Sequence, residues 1–222
     1  MAVQTEGKYL GDWLKWEQEN QYSRDIVTVL AGSGADRVLT TGMALGKITK
    51  GAATGAAVAG NTGNGTITAA PVVGAAARPG VYRLVCIEPA TNGGKFSVED
   101  PDGILLGVAT VGVEFTTHVT FTIADGSTDF AAGDAFTITV AAGSGNVKQV
   151  DFAAADGSDV ACGILALDTT APDGADKSGV AIVRNAIVSD NGLAWPAGAT
   201  ADQKNATIAQ LKAAGILVRE GA

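Results

Sequence analysis

The chain reads as mainly β: a small β-rich body closed by one C-terminal helix, with an antiparallel β-sandwich or barrel-like domain inserted into it. Three observations carry that reading. Glycine is frequent, at 30 of 222 residues, while aromatics reach only 5%. Such a composition suits many short strands and tight turns, not a helical bundle. Val113, Phe115, Thr117, Val119, Phe121 and Ile123 fall on alternate positions, the period of a half-buried strand. One stretch alone carries a full set of helix end signals. Thr200 can cap it, and Gln203 stands three residues on, where its amide can reach back. Asp202 and Lys212 suit the two ends of the helix dipole, and Ile208 and Leu211 share a face. Gly215 can close the helix in the left-handed conformation.

Residues 1–25 are irregular. Tyr9, Leu10, Trp13, Leu14 and Trp16 cluster there, and one short amphipathic turn would put Leu10, Trp13 and Leu14 on one side. Two readings stay open. The segment packs on its own domain, or it is an arm that docks on a partner. Tryptophan anchors fit partner pockets, and an extended arm can add a strand to a partner's sheet. Strands are expected at 23–30, 38–39 and 43–49. Residues 51–80, rich in Ala, Gly, Asn and Thr, read as a flexible joint with weak strand signal at Ile67 and Val72-Val73. Strands follow at 81–88 (apolar on both faces), 95–99, 104–111, 113–123 and 136–140, with turn signals between them. The first style then returns, with strands at 147–152, 160–167 and 179–188, the last interrupted by Arg184-Asn185. Trp195-Pro196 supplies an apolar anchor and a stiff turn before the helix, and 216–218 reads as a closing strand.

Composition also excludes. The net charge of −8 disfavours nucleic acid as a partner. The charge is uneven: residues 61–145 hold three basic against eight acidic side chains. Cys86 and Cys162 lie in apolar runs and read as buried free thiols, with a disulfide or metal role as the alternative. One histidine cannot build a typical zinc site, and His118, beside Thr116 and Thr120, reads as exposed with no nucleophile motif near it. No enzyme is therefore expected, and no cofactor or metal. The Gly60–Gly65 run lacks the Lys-Ser/Thr ending of a phosphate loop. Glu99, Asp100 and Asp102 lack the later ligands of a calcium loop and read as turn chemistry. No secretory signal is read at the start of the sequence, so synthesis in a host cytoplasm is expected. The longest apolar run, 104–113, is half of the roughly 20 residues a membrane helix needs.

Two stretches carry a resemblance. Leu193-Ala194-Trp195-Pro196 is followed by a polar, Ala-rich helix and a terminal apolar strand, and Ala161-Cys162-Gly163-Ile164-Leu165-Ala166 precedes them. In this order they resemble the lambda-type phage head decoration proteins, over roughly residues 25–55 and 147–219. Gly46-Lys47-Ile48-Thr49 looks like a strand of the longer relatives. Residues 60–145 have no counterpart in the short members, but Asn61–Gly65, 79–84 and 88–92 are similar to an insert in longer ones. The resemblance implies an arm at 1–25, a body at 26–59 and 146–222, and an inserted β domain at 60–145. It implies Tyr9, Leu10, Trp13, Leu14 and Trp16 as arm contacts. It places Gly163, Ile164, Leu165, Trp195, Pro196, Ile208 and Leu211 in the body core or near a trimer interface.

It implies a function as well. Such proteins bind the exterior of the expanded capsid as homotrimers at three-fold and quasi-three-fold sites. They cement the major capsid protein against DNA pressure, and their arm adds to a capsid sheet. The expected location is the outer capsid surface of the virion, without membrane or nucleic acid partners. On this reading, removing residues 1–20 spares the fold and weakens capsid binding. The alternative is a receptor- or glycan-binding β module in 81–140, with Tyr82 as its main aromatic candidate and Phe115 and Phe121 on the apolar face.

Overall fold

The computed structural model describes residues 7–221. The chain opens with a helical turn α1 (Leu10–Trp13), then β1 (Leu14–Glu17), β2 (Arg24–Val29), β3 (Arg37–Leu39) and β4 (Ala44–Lys47). Ten strands follow: β5 (Lys50–Ala57), β6 (Thr66–Ile67), β7 (Val72–Val73), β8 (Gly80–Ala90), β9 (Gly93–Glu99), β10 (Leu105–Thr110), β11 (Phe115–Thr116), β12 (Val119–Phe121), β13 (Ile123–Ala124) and β14 (Ala135–Ala142). The last stretch holds β15 (Val147–Gln149), β16 (Ala161–Leu165), β17 (Thr169–Ala171), β18 (Lys177–Ile182), β19 (Ala186–Ser189), helix α2 (Ala201–Ala213) and β20 (Ile216–Arg219). The protein is mainly β, as the composition and periodicity indicate. Among the described residues no helix is long and apolar enough to cross a membrane.

The chain divides into two compact units. A terminal unit is built from both ends, up to Ile48 and from Gly145 onward; a central unit is Thr49–Ser144. Residues 49–59, grouped with the body on sequence, lie in the central unit because β5 pairs along its length with β14.

In the terminal unit, five strands close a barrel in the order β15-β2-β18-β16-β4. Val29, Leu39, Leu45, Val147, Leu165, Ala171 and Ala181 form one buried cluster there. So tight a barrel needs glycine. A Cβ on Gly46 would stand 1.9 Å from the Ser158 carbonyl oxygen, and one on Gly163 would stand 2.6 Å from that of Ile182. The run 179–188 is two strands, not one. At Asn185 the backbone turns to φ +42, and the chain passes from the barrel to a separate sheet, β1-β19-β20. Helix α2 has the expected ends. Thr200 Oγ1 accepts from Gln203 N (3.2 Å), Gln203 Oε1 accepts from Thr200 N (2.9 Å), and Gly215 takes φ +81. A second buried cluster joins Trp13, Ile164, Ile182, Val188, Leu193, Leu211 and Ile216.

In the central unit, β10-β9-β8-β14-β5 form an antiparallel sheet whose inner face packs with the short ladders β11-β12-β7 and β13-β6. The core is aromatic: Phe96, Phe130 and Phe136 meet at centroid distances of 5.0–5.7 Å, edge-on or tilted. Such pairs add about 0.5–1.5 kcal/mol each beyond their buried area. The alternating run 113–123 is not one strand. It folds back as a hairpin, with Phe115 opposite Phe121 and Thr116 opposite Thr120. Phe115 and Phe121 are an even number of positions apart, so the alternation passes through the reversal unbroken. Nor is 51–80 a flexible joint throughout. Residues 50–57 form a strand whose small side chains admit close neighbours: a Cβ on Gly55 would lie 2.3 Å from the Thr68 carbonyl oxygen.

Asp134, Lys50 and Asp100 are the buried charged side chains of this unit, and the first two fasten its loops. Asp134 Oδ1 accepts from Thr62 N, and its Oδ2 accepts from Gly63 N and Ala131 N, at 2.8–3.0 Å. Burial by itself would push this carboxyl up, but the backbone donors outweigh it and hold it below its usual value. The glycine-rich 60–65 run is thus an anion cradle filled by the protein's own carboxylate. Lys50 Nζ donates to the carbonyls of Gly74 (2.9 Å), Ala75 and Ala77 (3.2 Å).

Candidate functional site

The N-terminal segment is not loose over the residues described. Trp13 is fully buried, and its indole Nε1 donates to Thr41 Oγ1 at 2.9 Å; that hydroxyl donates in turn to the Ala166 carbonyl at 2.8 Å. A chain of two hydrogen bonds satisfies both polar groups, as burial requires. The pocket is shaped by Gly192, where a Cβ would meet that of Trp13 at 2.3 Å. Lys8 Nζ donates to the Gly192 and Leu193 carbonyls at 3.1 and 3.3 Å. Leu10 and Leu14 pack against the same cluster from its edge.

Strand β1 then runs antiparallel to β19, with a register shift between Leu14 and Trp16. It has β19 on one side and is the outer strand of its sheet. Tyr9 and Trp16 stay 60% and 52% exposed. Glu17 and Arg24 close the strand with a two-point ion pair at 2.6 and 2.8 Å. Hydrogen bonding from Arg24 holds the Glu17 carboxyl below its usual value, against the opposing pull of burial. Beyond it, Arg184 lies over the exposed Tyr22 ring at 5.4 Å and pairs with Asp25 at 2.8 Å.

The five arm residues expected from sequence therefore separate. Trp13 is an internal anchor, Leu10 and Leu14 are half-buried, and Tyr9 and Trp16 face outward. Residues 1–6 of the expected arm lie outside the described residues. Of the expected body residues, Ile164 and Leu211 are buried in the cluster that holds Trp13, and Trp195 is half-buried against it. Leu165 lies in the barrel cluster, and Gly163 is where β16 approaches β18. Ile208, Trp195 and Val218 line a shallow groove of about 360 Å³, and Pro196 is half-buried outside it. Sequence reasoning missed Thr41 and Lys8: a Thr-Thr-Gly turn and one lysine near the start carry no pattern that points to Trp13.

Two further expectations change, those for Tyr82 and His118. Tyr82 is fully buried, with its hydroxyl bonded to the backbone of Arg78, because alternation along β8 turns it inward; it is no binding platform. His118 is half-buried, with its ring edge-on to Tyr82 at 6.4 Å, rather than exposed. Cys86 is a buried free thiol, and burial, then the Asp134 charge, pushes it up; Cys162 is free and half-buried. Asp100 Oδ1 accepts from the Asp102 and Ile104 backbones at 2.9 and 2.8 Å, which is turn chemistry.

A closed barrel, a C-terminal helix and a docked N-terminal strand that leaves Tyr9 and Trp16 exposed define a mainly β protein. The family model described as bacteriophage lambda head decoration protein D matches residues 3–216, and the chain belongs to that family. It is a phage head decoration protein, a structural component of the virion capsid, and the family is not an enzyme class. No curated protein matches it. Two crystal structures of FlgL from Xanthomonas campestris, in space groups H3 and C2, match at 19% identity, with TM-scores of 0.32 and 0.31. Each match covers 53% of this chain but only 41% and 40% of the FlgL chains, and so slight a likeness carries no argument.

Proposed function

We propose that the protein binds the exterior of the expanded phage capsid as homotrimers at three-fold and quasi-three-fold sites, and cements neighbouring major capsid protein subunits against DNA pressure. The terminal unit is the part that binds. The observation that supports this best is the edge strand β1, with Tyr9 and Trp16 exposed and Trp13 locked behind it. Trp13 fixes where the segment leaves the body, and the residues before it and the open side of β1 are what a capsid sheet edge can pair with. Three such segments on one trimer share a single encounter, so avidity multiplies modest affinities. A ligand that binds only the expanded shell stabilises that shell by mass action.

Truncation tests the reading. Because Trp13 belongs to the core, a cut at residue 20 would open the terminal unit, so the informative cut removes residues 1–9. It is expected to leave the melting temperature almost unchanged and to weaken binding to expanded capsids at least tenfold. Unchanged binding would refute the arm. Quantitative mass spectrometry of purified particles is expected to give a ratio near one to one with the major capsid protein. A few copies per particle would instead mean a vertex or tail role.

A further inference from the structure

The outer face of the central sheet is unlike the solvent face of an ordinary antiparallel sheet, which is polar. The strand registers place its side chains in rows. Val108, Ser97, Val85 and Ala135 form one, and Leu105, Glu99, Arg83, Thr137 and Ala56 the next. Val81, Thr139 and Thr54 form a third. Val81, Val85, Leu105 and Val108 are all exposed. The face is five strands wide, and around Arg83, Glu99 and Leu105 its rows hold mostly small and β-branched residues, which suit sheet-on-sheet packing.

Its charges are distinctive. Residues 49–144 carry four basic and eight acidic side chains, net −4. On this face Arg83 and Lys95 balance Glu88 and Glu99, so the excess negative charge lies elsewhere. Lys95 pairs with Glu88 at 2.8 Å. Arg83 and Glu99 stand opposite each other on neighbouring strands, and neither has an ion-pair partner among the described residues.

We propose that this face packs against the same face of a second copy of the chain. A two-fold axis along the strands, between β8 and β9, lays Arg83 of each copy over Glu99 of the other. The same operation sets Val85 over Ser97 and Val108 over Ala135. Such a contact is self-complementary, as a two-fold interface must be. It is also where two acidic chains meet without like-charge repulsion. The proposal does not rest on the trimer: it adds a contact between copies whatever the terminal units do.

Sedimentation velocity of the full chain over a range of concentrations tests it. The wild type is expected to show a self-association step that Val85→Asp weakens about tenfold or more, as for a central interface residue. Arg83→Glu and Glu99→Arg are each expected to weaken the same step, and the double reversal to restore it. If the terminal units form trimers, the variants keep the trimer and lose the next step. Melting temperatures identify any variant that has simply failed to fold, and the rescue by the double reversal cannot come from misfolding. Identical sedimentation of wild type and all variants overturns the proposal. So does a Val85→Asp variant that loses capsid binding while its self-association is unchanged, since the face would then belong to the capsid.

Discussion

The two units solve the same problem in opposite ways. The central unit is one uninterrupted stretch with five of the six phenylalanines, and it fastens its loops with a buried carboxylate and a buried ammonium. The terminal unit is assembled from both ends of the chain and holds all three tryptophans. Its second cluster joins Trp13, Ile164 and Leu211, residues scattered along nearly the whole sequence. A contiguous segment has short loops to close, whereas the terminal unit must close loops of more than a hundred residues before its clusters form. The difference teaches where each unit is vulnerable: the terminal one at its long-range anchors, the central one at its internal charges.

The tryptophans make the comparison measurable, because their fluorescence reports on the terminal unit alone. The largest effect is expected from Trp13→Ala, which removes a fully buried ring and the hydrogen bond that the Thr41 hydroxyl accepts. It should cost about 3–5 kcal/mol in the tryptophan-detected transition. The central transition, followed by calorimetry, should not move; a shared shift would mean that the units unfold as one. Asp134→Asn is next, at about 2 kcal/mol in the central transition, since an amide cannot accept from all three backbone donors. Its pH dependence sharpens the test. The folded carboxyl is depressed, so its contribution is complete above the unfolded value of about 3.9 and is lost as pH falls through the folded value. The wild-type central unit should therefore weaken below about pH 4, and the variant should weaken less. Thr200→Ala is the smallest change, about 1 kcal/mol in the terminal transition from the lost cap.

What was legible in the sequence was what depends on neighbours along the chain. Helix α2 follows from Thr200, Gln203 and Gly215 because capping is a matter of three or four residues. The hairpin of β11 and β12 was hidden because its reversal keeps the two-residue period in phase. Strand β5 was hidden because its alanines and glycines carry no apolar alternation, and β14 supplies its pairing. Trp13 could be read as an anchor but not assigned to its own body, because Thr41, Ala166 and Gly192 meet it only through the fold. The apolar character of both faces of β8 was visible, and one of those faces remains uncovered.

The chain leaves and re-enters the terminal unit at a single rung of backbone. Ile48 N donates to the Asn146 carbonyl at 2.9 Å, and Gly145 N donates to the Ile48 carbonyl at 3.0 Å. Its two interior ends are therefore already clasped as an antiparallel pair, the geometry that a tight turn of a few residues would close. That makes the rung a socket: any cargo whose own ends emerge side by side could be spliced there, and a particle carrying many copies would become a lattice for display.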